Sequence, residues 1–175
     1  MIIQLSEIMN IKDCVRKMTI PIELDKFSLR GVSYSFVSKK PVEFVIINLN
    51  NRKVRIKADS EVVLSVPCDR CLEEVEVSIP INAEAEIDFN ETDEKRTENL
   101  DETSYITGYN LDTDRLVNEE ILMGFPMKVV CMEECKGICS VCGANLNKGE
   151  CGCDRSVHDP RMSVIRDIFN NFKEV

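Results

Sequence analysis

The sequence predicts an α+β chain that is mainly β: a curved, barrel-like antiparallel sheet with two short helices and a C-terminal cysteine-rich zinc module. Three observations carry this expectation. Long stretches alternate apolar and polar residues around β-branched side chains, as in "KVRIKADSEVVLSV" (Lys53–Val66) and "EEVEVSIPINAEAEIDF" (Glu73–Phe89). An apolar stripe at helical spacing lies near the C-terminus. Six of the nine cysteines crowd into "CMEECKGICSVCGANLNKGECGCD", Cys131 to Asp154.

The elements follow in order. "IQLSEIM" reads as a short strand running into a turn of helix. "VRKMTIPIEL" (Val15–Leu24) and "VEFVIINL" (Val42–Leu49) read as strands. In the second long alternating stretch Val75, Val77, Ile79 and Ile81 point one way, and Glu74, Glu76 and Ser78 the other. Pro80 cannot donate to an inner ladder, so it favours an edge, a bulge or a strand junction. Between the two stretches, "PCDRCLE" is a turn with thiols at the tip of a β-hairpin. "NETDEKRTENLDET" (Asn90–Thr103) is an acidic loop. "TDRLVNEEILMGFP" (Thr113–Pro126) is a short helix, capped by Asp112 or Thr113 and stopped by Gly124 and Pro126. A last helix starts at the N-cap Asp159 with Pro160 in its first turn, and places Met162, Ile165, Phe169 and Phe172 on one face. Two regions result: residues 1–130, a β domain with its cysteine hairpin at 68–71 and its acidic loop at 90–103, and residues 131–175, a zinc-binding segment with the final helix.

At 175 residues with 43% apolar content the chain can bury a core, and without Trp that core must rest on Ile, Val and Leu. The N-terminus does not read as a signal peptide, and no apolar run approaches the ~20 residues that span a bilayer. The expected compartment is therefore the cytoplasm, where paired thiols are more often metal ligands or redox groups than disulfides. The net charge is −9 and is concentrated: residues 81–130 hold 13 Asp and Glu against 4 Lys and Arg. That balance weakens direct nucleic-acid binding, which draws on clustered cations. No enzyme is expected. No glycine loop suits a phosphate, and one histidine, His158, supplies no Ser–His–acid arrangement.

The cysteines fall at 14, 68, 71, 131, 135, 139, 142, 151 and 153. A Cys-x-x-Cys turn aims two sulfurs at one point, where they fill two corners of a tetrahedron about 2.3 Å from zinc. Gly143, just after Cys142, suits the positive φ such a turn needs. Grouping by neighbourhood puts Cys139, Cys142, Cys151 and Cys153 in one compact site, closed by "GANLNKGE". Cys68 and Cys71 then take Cys131 and Cys135, which requires the tail to fold back onto the hairpin. Another split exchanges Cys135 for Cys151. Four thiolates leave no position for water or substrate, so each site is structural and carries a net −2. Cys14 stays outside as a packed or surface thiol, His158 is either a ligand near Cys153 or, the reading preferred, a loop residue before the last helix, and Arg70 in the hairpin turn either hydrogen-bonds or caps the negative charge of a thiolate cluster.

"PCDRCLEEVEV", "CMEECKGICSVCGANLNKGECGCD" and "DPRMSVIRDI" together resemble the YceD family of large ribosomal RNA subunit accumulation proteins, a bacterial family, in its cysteine-rich branch. Cys68-x-Arg70-Cys71 looks like its central mark, and Cys135–Asn147 and Asp159–Arg161 like its C-terminal marks. Ser140 stands where the family usually has Pro. The resemblance implies a non-enzymatic role in accumulation or maturation of large-subunit ribosomal RNA, with a pre-ribosomal particle, ribosomal RNA or a large-subunit ribosomal protein as partner, and no membrane or small-molecule substrate. If RNA is touched, Lys39, Lys40, Arg52, Lys53, Arg55 and Lys57 are the candidates; their bland alternative is an ordinary solvent face. Two other readings are a redox-sensitive zinc-thiolate switch or chaperone, although the known switch has Cys-x-Cys before Cys-x-x-Cys and this chain reverses them, and a zinc-stabilised adaptor for protein contacts.

Overall fold

A computed structural model describes residues 1–90 and 104–154. Residues 91–103 of the acidic loop, His158 and the helix expected from Asp159 lie outside the described residues. The described chain forms two compact units. The first comprises Met1–Pro67 and Glu74–Val129; the second contains Cys68–Glu73 and the chain from Val130 onward.

The first unit is mainly β and antiparallel, as the alternation predicts. Its strands are β1 (Ile2–Gln4), β2 (Val15–Ile20), β3 (Lys26–Leu29), β4 (Val32–Lys39), β5 (Val42–Asn50), β6 (Lys53–Pro67), β7 (Glu74–Asp88), β8 (Ile106–Thr107) and β9 (Asn110–Asp112). Two helices, α1 (Ser6–Met9) and α2 (Thr113–Gly124), complete the described elements.

The long hairpin of β6 and β7 is the frame. It stays in register from Lys53 opposite Asp88 to Pro67 opposite Glu74. On its other edge β6 pairs first with β5, through Asp59, and then with β4, from Val62. β2 extends the sheet from β5, and β3 from β4. Even-numbered residues of β6 (Val54, Ile56, Ala58, Val62, Leu64, Val66) are buried, with Ser60 half-buried between them, because a strand keeps one face with period two. On β7 the inward residues are the odd ones expected, with Ile79 and Ile81 fully buried. Pro80 lies opposite Glu61, beside the place where β6 changes partners, on a strand that pairs with β6 alone among the described residues. The ladder therefore loses no inner donor.

The sheet does not close into a barrel. Six strands form one open sheet, and β1, β9 and β8 form a separate one of three. The reason is visible at β7, which meets α2 instead of another strand. Gly124 permits that approach: a Cβ there would lie 2.8 Å from the Ile79 side chain. α2 begins where its cap predicts, with the Asp112 carboxylate accepting from the Asp114 and Arg115 N–H groups at 3.2 Å each. It buries Leu116, Val117 and Ile121 at helical spacing.

Ile, Leu and Val dominate the core, joined by Phe27 and Phe44. One buried polar side chain ties the N-terminal segment to the sheet. Asn48 Nδ2 donates to the carbonyls of Ile8, Met9 and Ile11 at 3.2, 3.1 and 2.7 Å, serving the end of α1, while its Oδ1 accepts the Asn50 N–H at 2.9 Å.

Candidate metal centre

The second unit has few apolar residues and gets its shape from turns. The first turn is Cys68–Glu73. Cys68 N–H donates to the Glu73 carbonyl at 2.8 Å, and Leu72 N–H to the Cys68 carbonyl at 2.9 Å. Arg70 N–H points at Cys68 Sγ from 3.5 Å. Leu72 takes φ 64° to close the loop.

The second turn, Cys139–Ala144, repeats this bond for bond. Cys139 N–H donates to the Ala144 carbonyl at 2.8 Å and Gly143 N–H to the Cys139 carbonyl at 2.8 Å. Val141 N–H points at Cys139 Sγ from 3.4 Å, and Gly143 has φ 74°. In both turns the backbone, not the side-chain context, aims the sulfurs inward. Two unlike sequences, Cys-Asp-Arg-Cys-Leu-Glu and Cys-Ser-Val-Cys-Gly-Ala, thus make one geometry.

Each turn meets a second pair of thiols. Cys68, Cys71, Cys131 and Cys135 gather with their sulfurs all within 4.8 Å of one another, and so do Cys139, Cys142, Cys151 and Cys153. In the first group Cys68 and Cys135 are 3.9 Å apart, and Cys71 and Cys131 3.6 Å. A zinc–thiolate tetrahedron with bonds of about 2.3 Å has edges of about 3.8 Å. A disulfide would need about 2.05 Å, and all nine thiols are free. The spacing and the soft donor set therefore fit a metal such as zinc better than cross-links.

The electrostatics of the bare thiols point the same way. Burial pushes the Cys68 thiol up, but the N–H groups of Cys71, Arg70 and Cys131 outweigh it and bring the thiol down to about 6. Cys139 is likewise lowered to about 6 by the N–H groups of Cys142 and Val141, with help from the Cys151 thiol. Once one sulfur is charged its neighbours resist: Cys131 is pushed up to about 12 by burial and by Cys135, Cys71 and Cys68. Cys153 is pushed up to about 12 by Cys142 and Cys151.

Supporting contacts surround the first group. Asn147 Nδ2 donates to Cys135 Sγ at 3.2 Å, which holds that thiol below its ordinary range, and Asn147 Oδ1 accepts the Lys136 N–H at 2.8 Å. This residue was not among the sequence candidates; in "GANLNKGE" it looks like an ordinary turn residue. Arg70 does not face the sulfurs. Its guanidinium donates to the carbonyls of Glu133 and Cys135 at 3.3 and 2.9 Å, tying the two segments. Gly137, at φ 76°, lies where a Cβ would meet the Arg70 carbonyl at 2.9 Å. Lys148 pairs with Glu73 at 2.6 Å, which holds the Glu73 carboxyl below its usual range.

The groups differ in cover. Cys68, Cys71 and Cys135 are buried and Cys131 half-buried, whereas Cys139 is buried, Cys151 and Cys153 half-buried and Cys142 exposed. Cys14 is half-buried against the core of the first unit and belongs to neither group.

The six basic candidates for RNA contact are already engaged. Lys53, Arg55 and Lys57 pair across the β6–β7 ladder with Asp88, Glu86 and Glu84 at 3.1, 3.1 and 3.0 Å. Lys40 pairs with Glu61 at 2.5 Å, Lys39 donates to the Leu24 carbonyl at 2.8 Å, and Arg52 bonds the Tyr109 hydroxyl. The stripe is an ion ladder more than a cationic surface. No helix among the described residues is long and apolar enough to cross a membrane.

A mainly β protein in which one four-cysteine group joins the 68–71 turn to Cys131 and Cys135, and a second lies within residues 139–153, is defined by that cysteine framework. The chain belongs to the YceD family: residues 56–169 match the family model described as "Large ribosomal RNA subunit accumulation protein YceD", which takes in the hairpin turn and the cysteine-rich tail together. Over 58 residues it is 29% identical to the Large ribosomal RNA subunit accumulation protein YCED homolog 1, chloroplastic, of Arabidopsis thaliana. That match covers 33% of this chain and spans 18% of the relative's length. No solved structure matches the chain.

Proposed function

We propose that this protein is a non-enzymatic factor in the accumulation or maturation of large-subunit ribosomal RNA, acting on a pre-ribosomal particle in the compartment where ribosomes assemble. The observation that carries the reading is the family match across residues 56–169, which spans both halves of the first four-cysteine group. The relative from Arabidopsis bears the same role in its name.

In this reading both four-cysteine groups, Cys68/Cys71/Cys131/Cys135 and Cys139/Cys142/Cys151/Cys153, hold structural zinc. Zinc bound by four thiolates supplies cross-linking and no open coordination position. It stabilises turns that have little apolar surface to bury. The charge pattern favours a protein component of the particle as the direct contact, because the basic stripe on β6 is spent on carboxylates.

The test is the ratio of large- to small-subunit ribosomal RNA in cells depleted of the protein. A fall that the intact gene restores is the expected result. An unchanged ratio with normal ribosome profiles would sink the reading. Metal content of the purified chain tests the zinc assignment separately, with two equivalents expected.

A further inference from the structure

The two cysteine turns share the same backbone bonds, and of the positions at which their sequences differ one has a left-handed backbone. Where the second turn has Gly143 at φ 74°, the first has Leu72 at φ 64°. An L side chain is disfavoured in this left-handed region, and a branched, apolar one has no local hydrogen bond to compensate. Leu72 does not recover the loss by burial, for it is 63% exposed. Strain held at an exposed apolar side chain, where glycine makes the same turn freely, suggests a use outside the fold.

The surroundings indicate what kind. Leu72 directly follows Cys71, and Met132 directly follows Cys131; those two sulfurs are 3.6 Å apart, and Met132 is 53% exposed. Asp69 and Glu73 flank Leu72 in sequence and Glu133 and Glu134 follow Met132, while the second unit over its full length has nine carboxylates against seven cations. Two of the cations have partners, Arg70 the Glu133 and Cys135 carbonyls and Lys148 the carboxylate of Glu73 in an exposed ion pair. Each metal–thiolate group would add a net −2. An exposed apolar pair in an acidic setting repels phosphate and suits a protein segment in which an apolar side chain is flanked by Lys or Arg.

We infer that Leu72, with Met132 beside it, is the anchor by which the second unit docks a basic protein segment. The inference rests on the ribosome-assembly reading for its choice of probe. The full metal-loaded chain is immobilised as wild type, Leu72→Gly and Leu72→Asn. Each is challenged with the RNA-free protein fraction of purified large ribosomal subunits, and separately with RNA from the same subunits. A basic large-subunit protein should bind the wild type saturably and be released by salt. Its affinity should fall about tenfold in both variants, while their metal content and thermal midpoint match or exceed wild type.

Equal binding by wild type and variants overturns the inference, and so does capture of RNA with no protein. A variant that loses metal or stability would show Leu72 to be a folding residue and overturns it too. The two readings fail separately. If depletion leaves the ribosomal RNA ratio unchanged, the assembly role falls. If depletion lowers the ratio and Leu72→Gly restores it fully, the docking role falls alone.

Discussion

The two cysteine turns are the natural comparison in this molecule. They have the same bonds, the same N–H groups aimed at their leading sulfur and the same left-handed fifth residue. They differ in what completes them. Cys68 and Cys71 meet partners 60 or more residues along the chain, in a group with three buried thiols. Cys139 and Cys142 meet partners no further along than Cys153 and leave Cys142 exposed. A turn of this kind is therefore portable: the local bonds set the aim of the sulfurs, and the distance to the other pair decides whether the centre ties the chain together or closes one loop.

The largest expected effect breaks this comparison outright. Cys71→Ser should release one metal equivalent and free the tail from the 68–73 turn, giving rapid proteolysis after Val130. Cys142→Ser should release one equivalent and leave that tie in place. Native mass spectrometry with limited proteolysis reads both, and apparent binding energies on the order of 10 kcal/mol per structural zinc make the difference large. Equal proteolysis of the two variants would show that the groups are not distinct in role. Mild peroxide should likewise release metal from the exposed group first, as followed with a chromogenic chelator and mapping of the oxidised cysteines.

Next in size is a pair of glycine substitutions. Gly137→Ala adds a Cβ against the Arg70 carbonyl at 2.9 Å, while Gly143→Ala adds one with nothing within 4 Å. Both positions have positive φ, so both variants bear a conformational penalty of about 1 kcal/mol. Only Gly137→Ala also pushes the two segments of the first group apart, and its thermal midpoint should fall further.

Asn147→Ala should follow. It removes the donor to Cys135 and the acceptor for the Lys136 N–H. Metal affinity at the first group should drop about 10- to 100-fold in competition with a chelator, with the second group unchanged. The last comparison is an exchange between the turns, with its smallest effect at Leu72. Gly143→Leu should lower stability by about 1–2 kcal/mol, the penalty for an L residue in this region, whereas Leu72→Gly should stay within about 1 kcal/mol of wild type.

Much of this was legible in the sequence because it is local. Strict alternation gave β5, β6 and β7 nearly to their ends, and Asp112 marked the start of α2. The hairpin of β3 and β4 was missed, although Arg30 and Gly31 at φ 51° and 84° form a two-residue turn of the kind that Gly favours. Of the small sheet only β1 was legible, in "IQLSEIM"; its pairing was not, since it joins Ile2–Gln4 to Asn110–Asp112, far apart in sequence. An open sheet where barrel closure was expected follows from the same limit: alternation shows that a face is buried, not whether a strand or a helix covers it.

At the candidate site the cysteine positions showed which thiols are near in sequence. They did not show the supporting residues. Gly143 advertises its positive φ, but Leu72 at the matching place carries no such bias. Asn147 acts through a single amide whose direction depends on the folded loop.

The long reach of the first group also has a consequence during synthesis. Cys71 leaves the peptidyl-transferase centre 60 residues ahead of Cys131, a delay of roughly 3–12 s at ordinary rates of elongation. For that interval the β6–β7 hairpin presents half a centre to the cell. The second group, from Cys139 to Cys153, is emitted within about 1–3 s. A nascent chain pausing between residues 71 and 131 would thus expose the Cys68 and Cys71 thiols before either of their partner thiols has been made.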